Sequence, residues 1–278
     1  MASPDTQPET IAAEVAGIAG RYRLALGAQR FRGRMGGRRG HGVGSSMEFF
    51  DFRDYALGDD LRYIDWRSYA RTEQLRIRLH QEEVAPYVDV LVDTSASLSA
   101  TPGKERAARL LAAACLQWAK REGAMARLSA LGGSELLAEQ LVFDGPAGAP
   151  LPPVAPLRPG GVRILLTDGL WPEDPAPGLL RLMTGAARFF CLQLLDPWEL
   201  EPTAEGAMTL VDCETGQRAE VQLDARAVAA YRGRLQRLLD ELRLLVIGHG
   251  GDHAVVRADI LASMCARDLL PAGVLEPA

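Results

Sequence analysis

Asp93-Thr94-Ser95-Ala96-Ser97 follows directly on an apolar run, Tyr87-Val88-Asp89-Val90-Leu91-Val92, with Val at alternate positions. The run reads as a buried strand. Its end delivers one carboxylate and two hydroxyls, Asp93, Ser95 and Ser97, at D-x-S-x-S spacing into a single loop. Oxygen-only donors of this kind suit a small hard cation, Mg²⁺ or Mn²⁺. A second apolar run, residues 162–167, ends the same way in Asp168-Gly169. Ligands of open α/β sheets bind beyond the carboxyl ends of strands, so two such ends with matching chemistry point to one shared site. In it Asp93, Ser95 and Ser97 would face the ion, and Asp168 would order an ion-bound water.

Plainer readings exist for each residue. A polar turn can simply cap the next helix, but Ser99 or Thr101 stands nearest Pro102 and the helix start, which leaves Asp93 and Ser95 unexplained. Asp168-Gly169 taken alone is an ordinary turn after a strand. Asp59-Asp60 and Asp65 read as caps and as partners of Arg62, Arg67 and Arg71 rather than as a general acid–base pair. Gly248-His249-Gly250-Gly251-Asp252-His253 reads as a flexible glycine turn with two exposed histidines. Nothing here forms a G-x-S-x-G elbow, and Thr101-Pro102-Gly103-Lys104 lacks the earlier glycine of a P-loop.

The elements that would position Asp93 and Asp168 alternate. Strands are expected near 87–94, 124–131, 137–143, 162–168 and 188–195, and helices near 103–121, 175–186, 224–246 and 257–269. Such alternation implies an α/β fold, a doubly wound and mostly parallel sheet with helices on both faces. Residues 208–213 and 218–223 form an inserted hairpin, within an insertion spanning about 206–223. The Pro- and Gly-rich stretch 144–161 is a long irregular connection.

The chain divides into an N-terminal part, 1–44, a compact block, 45–86, and the sheet domain, 87–278. Ile11, Val15 and Ile18 keep helical spacing, so 9–27 reads as an amphipathic helix. The Arg- and Gly-rich stretch 21–40 fits either an anionic partner or a basic loop paired with the block that follows. In the block, Gly58-Asp59 reads as a turn and cap for a helix over 60–71. Leu75, Ile77 and Leu79 then alternate with basic residues as a half-buried strand.

The chain has 278 residues, 47% hydrophobic, with a net charge of −5, ordinary for a soluble globular protein and unfavourable to general nucleic-acid binding. Its Ala, Leu and Arg usage resembles that of a high-GC bacterial coding bias. Cys115, Cys191, Cys213 and Cys265 show no metal or disulfide spacing, and no secretory h-region or membrane-spanning run is visible. A cytoplasmic location is expected.

The strand ends resemble the metal-ion-dependent adhesion site of von Willebrand factor A domains. The block narrows the match. Arg38-Arg39-Gly40, Glu48-Phe49, Asp54-Tyr55, the run from Gly58-Asp59-Asp60-Leu61-Arg62-Tyr63 to Ile64-Asp65-Trp66-Arg67, and Ala70-Arg71-Thr72 are similar to the hallmark segment of the domain of unknown function 58 family. The resemblance implies an A-like fold and a Mg²⁺-type site at Asp93, Ser95, Ser97 and Asp168, with an open position for a partner's carboxylate. It also implies a non-enzymatic role as adaptor or co-chaperone of a MoxR-type AAA+ ATPase acting on a client protein. One departure stands out: no Thr lies between Thr101 and Thr167, so the third loop offers no usual ligand. Two rival readings are a metal-dependent phosphoester hydrolase using Asp93 and Asp168, and a metal-free scaffold.

Overall fold

The computed structural model describes residues 7–26, 47–56, 61–82, 86–146, 148, 150–203 and 206–278. Two units separate by their contacts: residues 27–85, and residues 1–26 together with 86–278. In chain order the first elements are α1 (Pro8–Ala19), β1 (Tyr22–Leu24), β2 (Met47–Asp54), α2 (Trp66–Thr72) and β3 (Arg76–Glu82). Then come β4 (Tyr87–Val92), α3 (Pro102–Arg121), β5 (Met125–Ala130), β6 (Glu135–Leu136), β7 (Val162–Thr167) and α4 (Ala176–Met183). The last are β8 (Arg188–Leu195), α5 (Pro197–Leu200), β9 (Gly206–Val211), β10 (Arg218–Leu223), α6 (Ala225–Gly248), β11 (Asp252–Arg257), α7 (Leu261–Met264) and β12 (Leu275–Pro277).

In the smaller unit β2 and β3 pair antiparallel, with a bulge between Phe49 and Asp51. The turn and cap expected at Gly58-Asp59 lie outside the described residues, as does most of the basic stretch 21–40. The helix of this unit begins later than expected, at Trp66, because Asp65 is its N-cap. The Asp65 carboxylate accepts from the backbone N–H groups of Arg67 (3.1 Å) and Ser68 (3.3 Å), donors the helix itself leaves free. Glu73, at φ 56°, ends it in a left-handed turn.

The larger unit is built on a six-stranded sheet of order β11-β8-β7-β4-β5-β6. Every pairing is parallel except β5 with β6. Strands buried on both faces need near-continuous apolar sequence, and β4, β7 and β8 have it. Leu91, Leu165 and Cys191 stand in register across three strands. They pack against Leu179 and Leu182 of α4 and Leu242 and Val246 of α6. The opposite face receives α3, which touches β4, β5, β7 and β8 and buries Leu110, Leu111 and Trp118. The α/β, doubly wound architecture expected from the alternation is therefore present. From β4 the chain crosses to β5 on one side and later returns to β7 on the other. The switch point of the sheet thus lies between the ends that carry Asp93 and Asp168.

Four expectations need correction. The first helix stops at Ala19, and Gly20 turns the chain so that β1 pairs antiparallel with β12. No strand spans 137–143. After the two-residue β6, a 3₁₀ turn at Ala138–Gln140 diverts the chain so that Gly145 bridges to Ser95. Residues 252–257 form a parallel edge strand instead of continuing a loose glycine turn. Gly251 there allows a close passage, since a Cβ would fall 2.9 Å from Val246 and 3.0 Å from Met183. Finally, the helix expected over 257–269 is α7 followed by a π-helical turn, Cys265–Leu269. The hairpin β9–β10 forms much as expected, and the described residues of 144–161 contain no helix.

That irregular segment packs its Pro150 carbonyl directly beneath Gly178 of α4, where a Cβ would overlap the oxygen. Gly178→Ala is expected to lose ~1–3 kcal/mol of stability through overpacking, read as a shift in the urea midpoint. Unchanged stability would show that the segment does not cross there.

Candidate functional site

The loop after β4 is fixed from within. The Asp93 Oδ1 accepts from the Ser95 backbone N–H at 3.0 Å. The Oδ2 accepts from the Thr167 hydroxyl at 2.8 Å and from the Trp171 indole N–H at 3.1 Å. The Ser95 and Ser97 hydroxyls lie 3.0 Å apart and bond each other. The irregular segment closes the loop from the side: the Gly145 N–H donates to the Thr94 carbonyl (2.9 Å) and the Ala96 N–H to the Gly145 carbonyl (3.0 Å). Asp93, Ser95 and Ser97 are all buried.

Asp168 belongs to a different set of contacts. Its Oδ2 accepts from the Lys104 ammonium at 3.0 Å, and its Oδ1 from the Leu170 backbone N–H at 3.1 Å. Lys104 also donates to the Glu199 Oε1 at 2.8 Å. Lys104 is 0% exposed and Asp168 1%. The lysine comes from the first turn of α3, whose N-cap, Thr101, accepts from the Lys104 backbone N–H at 3.1 Å. The Thr101 hydroxyl in turn donates to the Asp196 Oδ2 at 2.7 Å. The Glu199 Oε2 accepts from the Asp196 N–H at 2.6 Å, so α5 is closed onto the start of α3. Burial opposes the charge on Lys104, but the Asp168 and Glu199 carboxylates outweigh it and hold the lysine above its ordinary pKa.

Alternation along β7 accounts for the division. Successive side chains leave a strand on opposite faces. Thr167 turns to Asp93, while Asp168, one residue on, meets Lys104 from α3. The D-x-S-x-S residues are therefore brought together, and Asp168 bonds a separate set of partners. The four residues do not fit a single divalent ion as a shared ligand set. Such an ion would have to draw Asp168 away from an ammonium already bound to it. Among the described residues no group of three or more His, Cys, Asp and Glu side chains is placed to hold a metal.

The sequence alone does not single out Lys104, Glu199, Thr167 or Trp171. One signal for Lys104 was available: of 31 Lys and Arg side chains, only Lys104 and Lys120 are lysines. Thr167 reads from the sequence only as the last residue of an apolar run. Only one of the two histidines meets expectation. His249 is exposed, but His253 lies on β11, half-buried, with Nε2 3.0 Å from the Gln193 Oε1. The Gln193 amide donates to the Asp168 backbone carbonyl at 2.9 Å, which ties the edge strand to the strand-end cluster. Burial pushes the Cys115, Cys191 and Cys265 thiols up to about 12, and all four cysteines are free. Among the described residues no helix is long and apolar enough to cross a membrane.

Fold and site define a doubly wound α/β protein with a buried, hydrogen-bonded polar cluster at the sheet's switch point. Within that class, residues 51–137 match the family described as protein of unknown function DUF58. The matched stretch carries Asp93, Ser95, Ser97 and Lys104. No curated protein and no solved structure matches the chain.

Burial, and after it the nearby Arg243, lowers the His253 pKa from 6.5 to about 4. The unfolded chain therefore takes up a proton before the folded one does. Stability is expected to fall as the pH drops from about 6.5 towards about 4, and His253→Gln should lack that share of the loss. Urea unfolding of both proteins at pH 7 and pH 4.5 checks this; equal losses would contradict the burial of His253.

Proposed function

We propose that this chain is a non-enzymatic protein-interaction module, a cytoplasmic adaptor that works beside a MoxR-type AAA+ ATPase on a client protein. The observation that supports it best is the character of the strand-end face. Its polar floor is tied together by internal hydrogen bonds, while Leu170 (40% exposed) and Trp198 (38% exposed) stand at its margin. A hydrogen-bonded floor beside exposed apolar and aromatic anchors suits contact with a protein surface. Hydrolysis is less well served. Both oxygens of Asp93 and both of Asp168 already accept protein hydrogen bonds, and the Ser95 and Ser97 hydroxyls bond each other rather than a base.

The ATPase partner rests on the family resemblance, and the metal-bridged form of capture is the less favoured one, because Lys104 already bonds the Asp168 carboxylate that would order the ion's water. The test is binding of the full chain to the purified MoxR-type ATPase of its own genome, with ATP and with ADP, followed by light scattering. A defined complex is expected, weakened at least ~10-fold by Leu170→Ala combined with Trp198→Ala, as loss of interface anchors implies. No complex at ~50 µM in either nucleotide state, a concentration at which binding weaker than ~6 kcal/mol escapes detection, would sink the adaptor reading. So would a double variant that binds as tightly as the native chain.

A further inference from the structure

We propose that the Lys104 ammonium is the resident cation of the strand-end site, doing for Asp168 and Glu199 what a divalent ion would otherwise do, so that the isolated protein binds no metal there. Lys104 has no solvent exposure, and its ammonium meets two carboxylates at 3.0 and 2.8 Å. These arrive from the end of β7 and from α5, the two elements that a bound ion at this place would have to link.

The surroundings are organised about that one group. Thr101 caps α3 and so fixes the turn from which the lysine projects, while its hydroxyl holds Asp196. Asp196 is the N-cap of α5, where its carboxylate accepts from the Trp198 N–H at 2.8 Å and its own N–H binds the far oxygen of Glu199. Glu199 is thereby aimed at the ammonium with one oxygen and anchored with the other. The Tyr231 hydroxyl donates to the Glu199 carbonyl at 2.7 Å, bringing α6 into the same assembly.

The choice of side chain points the same way. This chain uses arginine almost everywhere, yet the residue at this buried position is lysine. A guanidinium is a planar fork with five donors, whereas an ammonium is a compact point charge, the closest a side chain comes to a bare ion. A second, divalent cation on Asp168 would lie within a few ångströms of the ammonium in a poorly screened interior, and the two would repel. Without the lysine side chain, the Asp168 and Glu199 oxygens would face a vacated, buried space with no counter-charge, a setting in which a divalent cation is favoured.

The experiment is a Mn²⁺ titration of the full-length native chain and of Lys104→Ala, read by calorimetry and by thermal midpoint with and without EDTA. The native chain is expected to show no stoichiometric binding and no shift of its midpoint. Lys104→Ala is expected to unfold at a lower temperature, to bind Mn²⁺ at least tenfold more tightly than the native chain, and to lose that gain when Asp168→Asn is added. Stoichiometric Mn²⁺ binding by the native chain that Asp168→Asn abolishes would overturn the proposal. So would a Lys104→Ala protein as stable as native and indifferent to Mn²⁺. If Lys104→Ala does not fold, Lys104→Met, which keeps the volume and removes the charge, takes its place as the stability arm. A Lys104→Met chain as stable as the native one would overturn the proposal equally. Because the titration uses the isolated chain, its outcome is independent of whether the ATPase partnership holds.

Discussion

A fully buried ammonium must be surrounded by charge and hydrogen-bond acceptors that outweigh its lost hydration, or it will not stay charged. In this protein that requirement is met by Asp168 and Glu199, and meeting it fixes three separate parts of the larger unit. Asp168 stands at the end of β7, Glu199 in the short helix after β8, and Lys104 in the first turn of α3. Neither Lys104 nor Asp168 can be displaced without leaving an uncompensated charge in the interior. The helix caps at Thr101 and Asp196 then follow as local solutions to the same constraint, because they set the two short segments at the angle that the ion pair needs.

The second constraint is the two-residue period of the sheet. It sends Thr167 and Asp168 to opposite sides and so builds two polar clusters where one was expected. On one side Asp93 is satisfied by a hydroxyl, an indole and a backbone N–H, all neutral donors. On the other, Asp168 is matched by a cation of the chain's own. Together they line the switch point of the sheet with buried side chains bonded to partners of the chain's own. A floor of this kind offers shape and edge contacts, which is the ground on which the adaptor role is proposed.

The parts of this architecture that were legible in the sequence are those set by local pattern. The apolar runs of β4, β7 and β8 and the long amphipathic helices α3 and α6 stand where periodicity put them, and Asp93 and Asp168 do end neighbouring strands. What escaped the reading depends on contacts remote in the chain. Lys104 follows a helix cap and looks like any solvated first-turn lysine until residues 64 and 95 positions away close over it. His253 sits behind two glycines that suggest a loose turn, yet Gly251 is there for its missing Cβ, so that the chain can pass Val246 and enter the sheet. Residues 137–143 carry strand-like composition, but the chain is drawn off to lie against Ser95 and Ser99, where the Phe143 carbonyl accepts from the Ser99 hydroxyl.

The central claim is that Lys104 and Asp168 act as one electrostatic unit, and a double-mutant cycle measures that most directly. Lys104→Met, Asp168→Asn and the double variant would be unfolded in urea at pH 7 beside the native chain. Each single change is predicted to cost about 3–5 kcal/mol, as breaking a buried ion pair does. The double variant is predicted to be less destabilised than the sum of the two by more than about 1 kcal/mol. Losses that simply add, to within about 0.5 kcal/mol, would contradict the account.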